Sequence, residues 1–550
     1  MARRYTRARV AGIAFAVAVG LTNAAAAQIL IHDPVELTRE AVVQHETGTQ
    51  RLADGQHEGA RAAFAAGVEA ARALAAAESE TPESLRHVFV NLIGLGDTHA
   101  ELGRAEDAER ARSAYQSARE IAEKLVARPD GVPEWQHDLS LVHNRLGALS
   151  EAAGDITQAL AHQRQSLIAA RLAADADPGE DRWPRAVYLR LITIGRIKAA
   201  QDDDEGALTA FEAALETVRA EAFSKPSDPH WQRDIHIALI YIAHQRARLT
   251  NVEGALTAYE KALAVARALV ARDQYLLEWE RDLGEALERV ALYKLELGDR
   301  AGALAAYQEG VAFTRTRLAI DGDVSRLKRD LSAWLRKVGE LEAKAGAYEE
   351  ARRAYRESIM ILDALVADPG RPSRWHRELS SVLYAYAAIT HRQNARAEAL
   401  SAYRDGLAIV KVLAERDMGN AGLTYRIFLG HVRIGDVQKD IARDAKTAAD
   451  RSAARKASAV AYAEGIRVIE ALLNDDPSHA GWHMDLIAAL VKQAEVLSGP
   501  HKIETLEAAL DRLAALHAMG GGGGQRARWR AEIENRLAIA ERSAAMAALH

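Results

Sequence analysis

The residues of this sequence that could carry chemistry are few and widely scattered. His479 and His483 are four residues apart, a spacing that places two imidazoles on one face of a helix, and Asp475, Asp476 and Asp485 lie nearby. Such a group could hold zinc or nickel. However, His479 falls in the turn before the predicted helix, and the sequence fixes no third ligand. We therefore expect no metal site.

Other catalytic motifs are incomplete. Ser325 and Lys328 match a serine-acylation pattern, but its companion motifs are missing. The run Gly520 to Gly524 lacks the Lys-Ser/Thr of a phosphate-binding loop. The chain has no cysteine, which excludes thiolate catalysis, cysteine-ligated zinc and iron–sulfur clusters. The sequence therefore predicts a protein that is not an enzyme and that carries no cofactor.

The composition indicates helix throughout the chain. The 550 residues include only 12 Pro and 5% aromatic residues, yet 49% are hydrophobic, and much of that share is alanine. Few prolines with abundant Ala, Leu, Glu and Arg favour helices. The charge is nearly balanced, with 71 basic and 77 acidic residues, so we expect no nucleic-acid partner.

The N-terminal segment has the pattern of a secretory signal. Four arginines lie within Met1 to Arg9, a twelve-residue apolar run covers Val10 to Leu21, and an Ala-x-Ala end precedes Gln28. We predict a signal peptide over residues 1–27, cleaved after Ala27, and hence a periplasmic or secreted protein. The alternatives are an uncleaved anchor and a simple first helix; only for the anchor do we expect membrane contact.

A repeat organises residues 28–518. Trp135, Trp183, Trp231 and Trp279 stand 48 residues apart, and the series reaches Trp482 after one unit lengthened by an eleven-residue insertion within Ala442–Ala457. Ten unit markers follow this register, at positions 36, 84, 135, 183, 231, 279, 327, 375, 423 and 482.

Each unit carries the same signals for two helices. A small residue lies twelve positions after the marker, as at Gly195, an alanine follows twelve later, as at Ala207, and an aromatic four beyond, as at Phe211. Small facing residues let two helices approach closely, and the aromatic ring fills the gap to the next pair. Gly-Asp and Asp-Pro pairs end the helices. We predict about ten helix pairs between Asp33 and Ala518.

This pattern of small, alanine and aromatic positions resembles the tetratricopeptide repeat family over roughly 480 residues. The family's usual unit is about 34 residues, so each helix here is expected to be longer. The resemblance implies an all-α fold, a right-handed α-solenoid of about ten antiparallel helix pairs. It also implies a concave face that binds peptides or protein partners.

By the family pattern, the concave face is lined by the first helix of each pair, nine and thirteen residues past the marker. The candidate partner-binding residues are Asn144, Arg196, His244, Glu288, Arg336, Glu340, Tyr384 and Asp436. They are mixed in charge and type, which suits a specific partner but also ordinary solvated surface. The recurring Arg-Asp pairs, such as Arg233-Asp234, are expected to be structural, with each arginine pairing with a neighbouring carboxylate.

The C-terminal part is predicted to be a glycine-rich linker over residues 519–525 and one helix over residues 526–550. That helix is expected to cap the solenoid; the alternative is a helix that docks on a partner or on the chain's own groove. We predict a non-catalytic scaffold or adaptor with protein partners. The alternatives are a membrane-tethered assembly platform and a helical enzyme or solute-binding module that uses the groove.

Overall fold

The computed structural model describes residues 33–273, 276–322, 324–367, 373–518 and 524–548, and all regular structure in these residues is α-helix. The predicted signal peptide and residues 519–523 of the predicted linker lie outside the described residues. Of the described helices, none combines the length and the apolar character that crossing a membrane requires. The chain divides into two compact units between Ala286 and Leu287.

The helices of the first unit follow one another along the chain with short connections. They are α1 Pro34–Ala53, α2 His57–Ala77, α3 Pro82–Leu102, α4 Ala105–Val126, α5 Pro133–Ala152, α6 Ile156–Ala176, α7 Arg182–Ala200, α8 Asp204–Ser224, α9 Pro229–Arg248 and α10 Val252–Arg272, followed by α11 Leu277–Glu296, within which the division falls.

The second unit continues in the same way. Its helices are α12 Arg300–Asp321, α13 Ser325–Ala345, α14 Tyr348–Val366, α15 Ser373–Arg392, α16 Arg396–Arg416, α17 Ala421–Asp444, α18 Ala448–Asp475, α19 Ala480–Val496, α20 Pro500–Ala518 and α21 Gly524–Ala548. The lengthened α17 and α18 take up the sequence insertion.

Within each unit, pairs of helices stack in sequence order. A first helix packs on the second helix of its own pair, and that second helix packs on the next first helix. The first helices α9, α11, α13, α15 and α17 begin at intervals of 48 residues, from Pro229 to Ala421. This is the arrangement of an all-α solenoid, and the predicted fold of about ten helix pairs is confirmed.

Helix ends have the expected chemistry with one difference. Gly154 and Gly298 adopt φ of +79° and +84° in the turns after α5 and α11, a conformation that suits glycine. Asp228 does not end α8, because that helix stops at Ser224. Instead, Asp228 accepts a hydrogen bond from the His230 amide at 2.8 Å and caps α9, with Pro229 as the first helical residue.

In most pairs an aromatic ring of the second helix packs against the small residue of the first helix, whereas the pair of α5 and α6 has Gln163 beside Gly147. A Cβ atom added to Gly435 on α17 would lie 2.6 Å from Cε1 of Tyr462 on α18. On its other side, such a ring meets the next pair: Phe211 on α8 stacks on Tyr241 of α9 with ring centroids 4.9 Å apart. The small and aromatic positions therefore set the separation of helices within and between pairs.

The C-terminal helix α21 packs on the last helix pair. Ile533 and Ala540 of α21 are buried in one apolar cluster with Leu506 and Leu513 of α20. Arg536 of α21 donates to Glu495 of α19 at 2.8 Å. In the described residues α21 thus covers the apolar side of the final pair.

Candidate partner-binding face

The eight predicted site residues all lie on the first helices of their pairs. In the first unit they are Asn144 on α5, Arg196 on α7 and His244 on α9; in the second unit they are Glu288 on α11, Arg336 and Glu340 on α13, Tyr384 on α15 and Asp436 on α17. Arg196 and Glu288 are exposed, and the other six are partly buried.

In the first unit the three predicted residues have separate surroundings. The Asn144 side-chain oxygen accepts a hydrogen bond from Gln163 Nε2 at 3.2 Å. The His244 ring meets Tyr259 edge-on with centroids 5.7 Å apart. These two side chains therefore make contacts with the second helix of their own pair, whereas Arg196 projects towards solvent.

In the second unit three predicted residues converge on one tyrosine. Arg336 and Glu340 form an ion pair one turn apart on α13. Burial raises the pKa of Tyr307 to about 12, and the nearby charges of Glu288 and Glu340 act in the same direction. The Tyr307 hydroxyl is buried and has no hydrogen-bond partner among the described residues.

Tyr384 is placed by packing. Its ring occupies the space beside Gly406 and Gly430, where an added Cβ would lie 2.6 Å from Tyr384 Cε1 at Gly406. The same ring lies near that of Tyr403, with centroids 5.8 Å apart. Most of the Tyr384 side chain thus fills an internal gap, with only part of it on the surface.

Asp436 is the centre of a three-residue cluster that we call the second-unit clasp. Its carboxylate accepts a hydrogen bond from the Tyr462 hydroxyl at 2.7 Å and contacts Lys492 Nζ at 2.8 Å. Tyr462 belongs to the same pair and Lys492 to the next. The clasp therefore joins two successive pairs, and burial together with the charge of Asp436 raises the pKa of Tyr462.

An equivalent cluster, the first-unit clasp, escaped the sequence reasoning. Asp97 accepts a hydrogen bond from the Tyr115 hydroxyl at 2.6 Å, and Arg145 Nη2 donates to the same carboxylate at 3.0 Å. Asp97 lies thirteen residues past the marker at 84, as Asp436 does from 423. The repeat register was therefore the signal that could have found it.

The recurring Arg-Asp pairs form a ladder of ion pairs in the first unit. Each arginine reaches the aspartate of the following pair and not its own neighbour. The rungs are Arg86 Nε to Asp138 at 3.0 Å, Arg185 Nη2 to Asp234 at 3.1 Å and Arg233 Nε to Asp282 at 2.8 Å. In the second unit Arg329 instead contacts Asp330 of its own helix at 2.8 Å. The expected structural use of these residues holds, and the ladder links successive first helices.

The histidines considered as metal ligands have structural contacts. His479 Nδ1 accepts a hydrogen bond from the Trp482 amide at 3.1 Å and caps α19. His483 Nε2 lies 2.9 Å from the Pro477 carbonyl oxygen. Within the described part of the chain, no three His, Asp or Glu side chains are grouped in a way that could hold a metal ion.

Comparisons with known proteins give matches among solved structures only. No family model matches the sequence, and no curated protein matches it. The crystal structure of BtubC (BKLC) from P. vanneervenii shares 19% identity, covers 48% of this chain and 94% of its own, and gives a TM-score of 0.33. That of MamA shares 16% identity, covers 40% of this chain and 97% of its own, and gives a TM-score of 0.26.

A further match is the C-terminal part of a TPR repeat-containing protein from Cytophaga hutchinsonii. It shares 12% identity, covers 54% of this chain and 90% of its own, and gives a TM-score of 0.33. Two other matched structures are also described as a tetratricopeptide repeat protein or as a protein with a tetratricopeptide repeat sensor.

Proposed function

We propose that this protein is a non-catalytic scaffold that binds partner proteins or peptides on the face formed by its first helices. The observation that carries the proposal is the contrast between constant and variable positions. Twelve residues past each marker the chain keeps glycine or alanine for packing, whereas thirteen residues past it the side chain changes from pair to pair. That variable position holds Thr49, Asp97, Ala148, Arg196, His244, Leu292, Glu340, Ala388, Asp436 and Glu495.

Such a face suits recognition of a protein surface. Polar groups held in fixed positions give specificity when they meet complementary groups on a partner. Here the clasps fix Asp97 and Asp436 through hydrogen bonds of 2.6 and 2.7 Å from buried tyrosines, so these carboxylates lose little freedom on binding. Their engagement in structural contacts also favours binding over acid–base catalysis.

Site-specific crosslinking tests this proposal. A photoreactive residue at Arg196, which is exposed on a first helix, should crosslink discrete proteins from an extract of the cell compartment to which the chain is exported. The matched control is the same residue at Arg171, which is exposed on the second helix α6. Equal crosslinking from both positions, or none from Arg196, would contradict binding on the first-helix face.

We also propose that residues 1–27 direct export and are removed after Ala27. The arginine-rich start, apolar run and Ala-x-Ala end support this. Mass spectrometry of the mature N-terminus tests it: a chain beginning at Gln28 is expected, and an intact Met1 would favour a membrane-tethered assembly platform.

A further inference from the structure

The ion-pair ladder of the first unit is interrupted between α5 and α7. At the arginine position of the ladder, two residues past the marker, α5 carries His137. At the aspartate position, three residues past the marker, α7 carries Ala186, which is buried. The rung that would join these two helices therefore lacks both its arginine and its carboxylate, although the rungs on either side are complete.

Arg190 lies one turn beyond Ala186 on α7. It is partly buried, its Nε atom is buried without a hydrogen-bond partner, and the described residues offer it no ion pair. The same position holds Val142, Ala238 and Ala286 in other pairs of this unit, each 0% exposed. In an earlier pair it holds Asn91, which donates to two backbone carbonyls. Arg190 is thus a cation without a partner at a packing position.

The charges around Arg190 increase its need for an anion. Burial and the neighbouring charge of Arg145 lower the pKa of Arg190 to about 10. Burial, with the charges of Arg182, Arg190 and Arg86, lowers the pKa of His137 to about 4. The nearby carboxylates are already paired: Asp97 with Arg145 in the first-unit clasp, and Asp138 with Arg86 in the ladder.

We propose that the gap in the ladder between α5 and α7 binds an aspartate or glutamate side chain of a partner protein, with Arg190 as the main donor. This inference rests on the proposed scaffold function and names the chemistry that one part of its face recognises. A guanidinium binds a carboxylate through two parallel hydrogen bonds. The neighbouring rungs supply a precedent, since Asp138 and Asp234 occupy the equivalent place with only 4% and 6% exposure.

An unpaired cation at this position also provides selectivity. A partner that presents an apolar or basic group here would leave Arg190 desolvated and unpaired, which disfavours the complex. An acidic side chain removes that penalty. The free protein is less stable than it would be with an apolar residue at position 190, and an acidic partner recovers the difference on binding.

Peptide binding measured by fluorescence anisotropy tests the proposal on the purified chain. The probe is the labelled peptide Gly-Ser-Glu-Glu-Ser-Gly, with a Gln-Gln peptide and a phosphoserine peptide of the same length for comparison. We expect the Glu peptide to bind and the Gln peptide to bind at least about tenfold more weakly. Arg190→Val should weaken Glu-peptide binding about tenfold, whereas Arg171→Val, a change of the same type at an exposed position of the second helix α6, should not.

A second variant tests the missing rung without removing the arginine. Ala186→Asp restores the carboxylate found at Asp138, Asp234 and Asp282, so it should occupy Arg190 internally and also weaken Glu-peptide binding about tenfold. In the absence of peptide, Arg190→Val should unfold at a higher urea concentration than the native chain, which separates loss of the site from loss of folding.

Three results of the peptide experiments would overturn the proposal. They are equal binding of the Glu and Gln peptides, unchanged binding by both Arg190→Val and Ala186→Asp, and Arg190-dependent binding of the phosphoserine peptide alone. The Arg196 crosslinking experiment separates this failure from that of the scaffold function. If the Arg190→Val chain crosslinks the same proteins in the same yield, the scaffold function stands and the carboxylate site is wrong.

Discussion

Replacing Tyr462 by phenylalanine should destabilise the second unit, whereas the same replacement at Tyr307 should leave its stability unchanged or raise it. The two rings occupy equivalent repeat positions on α18 and α12 and are 0% and 1% exposed. They differ in what the hydroxyl meets. Tyr462 donates to the Asp436 carboxylate at 2.7 Å, while the Tyr307 hydroxyl is buried without a partner in the described residues.

The expected magnitudes follow from this difference. A hydrogen bond to a charged group contributes about 1.5–3 kcal/mol to stability. Asp436 keeps its contact with Lys492 when Tyr462 is changed, so the loss should be near the lower value, about 1.5 kcal/mol. Burying an unpaired hydroxyl costs about 1–3 kcal/mol, and Tyr307→Phe removes that cost. The two variants should therefore differ by about 2.5–4.5 kcal/mol.

Amide hydrogen exchange resolved by helix is the suitable assay, because chains built of repeats and of more than one unit do not unfold in a single step. Opening free energies of α18 and α12 are compared in the two variants and the native chain. Tyr403→Phe is the matched control. Its ring is 3% exposed at the same repeat position, and its hydroxyl makes no hydrogen bond within the described residues, so little change is expected.

The reasoning fails if Tyr307→Phe destabilises α12 as much as Tyr462→Phe destabilises α18. That result would mean that the Tyr307 hydroxyl has an acceptor in solution, for example Glu288 or Glu340, whose charges already act on it. If Tyr462→Phe leaves the opening free energy of α18 unchanged, the second-unit clasp does not stabilise the contact between pairs.

Three further predictions follow from the same contacts. Burial is the main cause that lowers the pKa values of His137 and His143 to about 4, so the fold favours their neutral forms. Urea unfolding should therefore show the stability of the first unit falling as the pH drops from about 6.5 to 4, by roughly 1–2 kcal/mol per histidine after allowing for partial exposure. Asparagine at both positions should flatten this dependence of stability on pH above pH 5. Gly339→Ala would place a Cβ 2.7 Å from Cε1 of Tyr355 and should cost about 1 kcal/mol in urea unfolding; no change would mean that the ring shifts freely, as alanine at this position in other pairs permits. Ile533→Ala, at a side chain 2% exposed, should cost about 2–4 kcal/mol and raise hydrogen exchange in α20 and α21; unchanged exchange would show that α21 does not cover the last pair.

The positions of the helices could be predicted because their determinants are local and repeated. Glycine or alanine lies twelve residues past each marker, and an aromatic follows sixteen later in the six units marked at 36, 183, 231, 279, 327 and 375. Each of these residues has one packing solution when two helices meet. The same register placed Asp436 on the first-helix face. The same spacing from the marker at 84 places Asp97 there too.

The contacts of the site could not be predicted in the same way. The sequence pairs Arg233 with the adjacent Asp234, but the arginine reaches Asp282 on the next first helix. Adjacent residues on a helix point in different directions, so the arginine does not face the aspartate next to it. Its ion-pair partner is set by how the next helix pair stacks on its own. Likewise, the charges of Glu288, Arg336 and Glu340 all act on Tyr307 in the second unit, an arrangement that spacing along the chain does not specify.

By itself, the sequence determined that this chain folds as stacked helix pairs without cysteine chemistry, because periodic apolar and small residues dictate helix and contact. Only the tertiary structure decided which polar groups are satisfied. In the sequence Arg190 does not differ from the other arginines. Within the described residues it lacks an ion-pair partner because Ala186 supplies no carboxylate and because Asp97 is held by Arg145 and Tyr115. An absent partner has no signature in a sequence, since it becomes visible only when every neighbouring charge has been placed and paired.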